Sequence, residues 1–93
     1  MRIIGHIEHP SLKITVFKMD NRVSVKFENA LYEQTYKLGT DERTESMEGV
    51  KKWVDPLLTE QVLSGFQQMH QARMASFVRA FPADNQPVFE EII

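Results

Sequence analysis

His6, His9 and His70 are the only imidazoles in this chain, and it has no cysteine. Thiolate-bound zinc, disulfides and thiol nucleophiles are thereby excluded together. His6 and His9 fall where the sequence alternates like a strand, and an odd separation on a strand sends two side chains to opposite faces. Without a bulge they do not converge on one metal ion. His70 follows Glu60 by nearly three helical turns, so neither Glu-x-x-His nor His-Glu-x-x-His spacing occurs. Adjacent carboxylates stand at Asp41-Glu42 and Glu90-Glu91. General acid–base chemistry needs two carboxyl groups held across a cleft by rigid elements, and these pairs read as loop and tail. Ser11, Ser24, Ser46, Ser64 and Ser76 have no Gly-x-Ser-x-Gly setting. The glycines at 5, 39, 49 and 65 are too scattered to cradle a phosphate. No catalytic, cofactor-binding or metal-binding residue is assigned, and the chain is not read as an enzyme.

What remains is recognition. Phe17 shares a polar strand face with Lys13, Arg22 and Lys26, with Ile4, His6 and Met19 as expected neighbours. An aromatic among cations on an open sheet suits single-stranded nucleic acid, whose bases stack while its phosphates meet the cations. Glu8, Glu28 and Glu33 on the same face, and the lack of a second aromatic, weigh against it. The other group is Met74, Phe77, Val78 and Phe81, whose i, i+3, i+4, i+7 spacing makes one apolar helical stripe.

The elements that position these residues follow from alternation and turns. Asp20-Asn21 separates two alternating runs, and both residues tolerate the positive φ of a two-residue hairpin. That register sets Lys18, Val16 and Ile14 opposite Val23, Val25 and Phe27. It gathers Leu12, Ile14, Val16, Val23, Val25 and Phe27 on one face, the pattern of a half-buried antiparallel sheet. A two-residue turn at Pro10-Ser11 pairs Ile7 with Ile14 and adds Ile3, Gly5 and Ile7 to that face. A turn at Asn29-Ala30 adds Tyr32, Gln34, Tyr36 and Leu38, whereas a bulge or longer loop would shift the strand by one and reverse it. The strands are expected at about 2–8, 12–19, 22–28 and 31–38. After a break at residues 39–45, a short helix is expected over about 46–54. Asp55-Pro56 then reads as the cap and first residue of a long helix that Pro82 ends. Its roughly 25 residues would span about 37 Å.

The fold class is therefore α+β: a four-stranded antiparallel meander, a short helix, and a long C-terminal helix packed on one sheet face. In order alone, four strands and then a long helix is similar to the transcriptional-coactivator family that binds single-stranded DNA; no motif matches. Residues 1–93 are read as one small domain, with 82–93 as a tail. Such a chain buries only roughly 60–65% of its unfolded surface, and small domains often gain stability by oligomerising. A sheet about 15–20 Å wide leaves part of the long helix overhanging. The stripe at Met74, Phe77, Val78 and Phe81 is then covered by the tail residues Val88, Phe89, Ile92 and Ile93, or by a second subunit. Residues 1–38 carry six Lys/Arg against four Asp/Glu, a net +2, and residues 39–93 carry five against nine, a net −4. No basic run, signal-peptide pattern or membrane-length apolar run is present. The preferred reading is a cytoplasmic, non-catalytic scaffold or protein-interaction domain that forms a homodimer, without cofactor or membrane. The alternative is a single-strand-binding module using Lys13, Phe17, Arg22 and Lys26.

Overall fold

The turn at Asp20-Asn21 organises the first half of the chain, and in a computed structural model it joins two paired strands. Asp20 has φ 57°, a left-handed conformation that a short polar side chain tolerates. The structure describes residues 1–82. The strands are β1 (Arg2–Ile7), β2 (Lys13–Met19), β3 (Arg22–Glu28) and β4 (Glu33–Gly39), antiparallel neighbours in the order β1-β2-β3-β4. A 3₁₀ turn at Glu42–Thr44 leads to α1 (Met47–Trp53) and α2 (Pro56–Ala80). The expected α+β meander with its short and long helices is what the chain forms. The expected tail cover by Val88, Phe89, Ile92 and Ile93, and the Glu90-Glu91 pair, lie outside the described residues.

The β2–β3 register is as expected, with Lys18, Val16 and Ile14 opposite Val23, Val25 and Phe27. Leu12, Ile14, Val16, Val23, Val25 and Phe27 are all buried. At the other two pairings the structure corrects the detail. Ile7 faces Ile14, but a bulge between Ile3 and Gly5 sets Ile3 opposite Phe17. Ile3 therefore leaves the core face and is 55% exposed, and it takes the place beside Phe17 expected of Ile4. Gly5 is close to α1: a methyl group there would meet the Met47 thioether at 2.6 Å.

The β3–β4 loop has four residues rather than two, because Glu28 pairs with Glu33. The Asn29 side chain explains this: its Oδ1 accepts from the amides of Leu31 (2.9 Å) and Tyr32 (2.8 Å). Such an Asx turn spares Ala30 the left-handed conformation it resists. The extra residues shift the strand by two, so parity survives. Tyr36 lies opposite Val25, and Gln34 opposite Phe27.

The contacts divide the chain into two compact units, Met1–Val62 and Leu63–Ile93. In the first, Trp53 closes an aromatic cluster with Phe27 and Tyr36, ring centroids 6.3 and 5.3 Å away. Val50 and Val62 are buried, and Gln34 Nε2 donates to the Val62 carbonyl (2.9 Å), tying the first turns of α2 to β4. Both helices start as the sequence implies. Ser46 Oγ accepts from the Gly49 amide (3.3 Å), and Asp55 Oδ1 accepts from the Leu58 amide (2.8 Å) ahead of Pro56. The second unit begins with the remainder of α2, along which Phe66 is buried. No helix among the described residues is long and apolar enough to cross a membrane.

Candidate interaction surfaces

Strand pleating places Lys13, Thr15, Phe17 and Met19 of β2 on the face opposite the core. Their partners on β3 are Glu28, Lys26, Ser24 and Arg22. The edges add Ile3 and His6 from β1, opposite Phe17 and Thr15, and Glu33, Thr35 and Lys37 from β4, opposite Glu28, Lys26 and Ser24. Thr15 is buried. Lys26 Nζ lies 5.4 Å from the centre of the Phe17 ring, within cation–π range. All of Lys13, Phe17, Arg22 and Lys26 thus lie on one face.

Charge is distributed unevenly over that face. Lys13 faces Glu28, which ion-pairs with Lys26 at 3.6 Å and faces Glu33. At that end two cations meet two carboxylates. At the other end Arg22 faces Met19 and Lys37 faces Ser24, so neither has a carboxylate across the strand. A recess of about 450 Å³ opens there, walled by Phe17, Met19, Arg22, Ser24 and Lys37 among others. Phe17 and Arg22 share this recess, while Lys13 and Lys26 do not line it. Lys37 is the charged member that the sequence reading passed over. The β4 alternation would have revealed Lys37, which falls between the core-facing Tyr36 and the glycine that ends the strand.

Both edge strands carry an irregularity, between Ile3 and Gly5 on β1 and across Leu38 on β4. Bulges disrupt the regular edge that another strand would need for pairing. A broader cleft of about 730 Å³ lies between the end of β4 and α1, lined by Leu38, Asp41, Arg43, Lys52 and Trp53 among others. Its most acidic group is already engaged. The Asp41 carboxylate accepts from Arg43 Nη2 (2.6 Å), Nε (2.9 Å) and the Arg43 amide (2.9 Å), which hold its pKa at about 2. Among the described residues no three His, Asp or Glu side chains are grouped to hold a metal ion.

In the second unit, the stripe on α2 grades outward. Met74 and Phe77 are half-buried, whereas Val78 is 51% and Phe81 56% exposed. The Phe77 and Phe81 rings are 6.2 Å apart, and the Arg73 guanidinium lies 6.0 Å from the Phe77 ring. Together Arg73, Phe77 and Phe81 border a shallow hollow. No family model, curated protein or solved structure matches the chain.

Proposed function

We propose that this chain is a non-catalytic protein-interaction domain that forms a homodimer through Met74, Phe77, Val78 and Phe81. The observation that carries the reading is the exposure of Val78 and Phe81 at the end of one continuous apolar stripe. A second copy is the occupant we assign, and the cations of this stretch can be accommodated in it. From residue 63 to 81 the helix carries Arg73 and Arg79 and no carboxylate. An antiparallel two-fold pairing centred on Phe77 sets Arg73 against Phe81 of the partner subunit, a cation over a ring, and keeps like charges apart. Each large apolar side chain taken fully from water contributes roughly 1.5–3 kcal/mol, and a two-fold pair uses the stripe twice. That sum is comparable with association costs of about 4–15 kcal/mol. Light scattering on the intact chain at tens of micromolar should return twice the chain mass, and the double change Phe77→Ser, Val78→Ser should return the single mass with unaltered circular dichroism. A monomeric intact chain rejects the dimer and favours cover of the stripe within one chain.

A second reading rests on the open sheet face, where Phe17 adjoins a recess bearing Arg22 and Lys37. It makes the domain a single-strand nucleic-acid binder. Affinity for a single-stranded oligonucleotide should then fall steeply with salt as condensed counterions are released. Absence of binding at low salt rejects this reading.

A further inference from the structure

The two ends of the open face differ in what they can offer a ligand, and the difference assigns roles. Resting on the single-strand reading, we propose that the Phe17 recess holds one nucleotide unit, its base against Phe17 and Met19 and its phosphate between Arg22 and Lys37. Lys13 and Lys26 then belong to the sheet's own charge balance.

The size, lining and charge of the recess support this. The recess measures about 450 Å³, within the roughly 300–1,000 Å³ of small-ligand sites. It combines an aromatic ring, two thioethers and two hydroxyls with Arg22 and Lys37, and no carboxylate lines it. Asp20 lies in the adjacent turn, exposed, and is not part of its wall. Arg22 and Lys37 are exposed and have no acidic cross-strand partner. At the opposite end Glu28 lies between Lys13 and Glu33 and holds Lys26, so a phosphate there would meet two carboxylates. Charge complementarity thus selects the recess end for the anion, and Phe17 supplies a stacking surface beside it. The chain as a whole has net charge −2, so attraction must come from this local field.

The test is fluorescence anisotropy of a labelled oligothymidylate with wild type, Arg22→Gln, Lys37→Gln, Lys13→Gln and Phe17→Ala, each at two salt concentrations. Arg22, Lys37 and Lys13 are all exposed, so their variants should keep the wild-type circular dichroism. Arg22→Gln and Lys37→Gln should each weaken binding about tenfold at low salt and reduce the salt slope by about one. Phe17→Ala should weaken binding about tenfold without changing that slope. Lys13→Gln should leave both affinity and slope unchanged. If wild type binds but Lys13→Gln costs as much as Lys37→Gln, the assignment of the recess is overturned while the single-strand reading stands. If wild type does not bind, both fall.

Discussion

A methyl group placed on Gly49 would overlap the carbonyl oxygen of Arg43 outright. The 3₁₀ turn before α1 folds back onto the first turn of that helix, and only a residue without a side chain lets the backbones approach so closely. Gly49→Ala should cost about 3 kcal/mol, at the upper end of overpacking penalties, because backbone rather than a flexible side chain must yield. Gly5→Ala is the control. There the obstacle is the Met47 thioether at 2.6 Å, which can swing aside, so about 1 kcal/mol is expected. Urea unfolding of the two variants checks the contrast, and equal losses would contradict it. Asp41 gives a pH prediction at the same scale. Hydrogen bonds from the Arg43 side chain and then its amide lower the carboxyl from 3.8 to about 2. The folded pKa is depressed, so the pair's contribution is present above pH 3.8 and fades as pH falls through about 2. The Arg43 side chain is 88% exposed, so solvent screening keeps the stability effect small. The clean readout is the Asp41 carboxyl resonance, expected to titrate near 2; a midpoint at 3.8 would show that the pair does not persist.

For the elements, the meander depends on parity more than on loop length. The β3–β4 loop is longer by two residues than the simplest turn, yet Gln34 and Tyr36 still face the core. A shift of one would have turned them outward. Val25 sits at the middle of that sheet, opposite Val16 on one side and Tyr36 on the other, with no exposed surface. Val25→Asp would bury a charge without a partner and should cost several kcal/mol, a large part of the stability of so small a domain. A thermal melt unchanged by this substitution would overturn the pairing of the two central strands.

For the whole molecule, the proposed dimer couples stability to concentration. Association favours the folded chain by mass action, so the wild-type Tm should rise with protein concentration. The Phe77→Ser, Val78→Ser variant should melt at a concentration-independent temperature. Calorimetry at widely separated concentrations checks this, and a wild-type Tm that does not move would argue against self-association. The sheet face and the stripe lie in different units of the chain, Met1–Val62 and Leu63–Ile93. Variants in one can therefore be assayed against the other's function.

Local chemistry alone determined most of the architecture. Alternation with period two, Asp20-Asn21 at the first clear hairpin, and the Asp55-Pro56 helix start each act over a few residues, so the strands, α1 and α2 could be read from sequence. The core residues Ile14, Val16, Val23, Val25 and Phe27 followed from the same alternation. Lys13, Phe17, Arg22 and Lys26 could likewise be placed on one face. Which of them share a recess could not, because that depends on how Glu28 and Lys37 are set beside them across two strand pairings. The bulge that turns Ile3 outward, the Asn29-capped loop and the need for glycine at position 49 also escaped the sequence reading. In the bulge and at Gly49, one segment meets another distant from it or folded back on it; in the loop, one side chain captures two amides. Period and propensity carry no record of such contacts, and only the tertiary structure decides them.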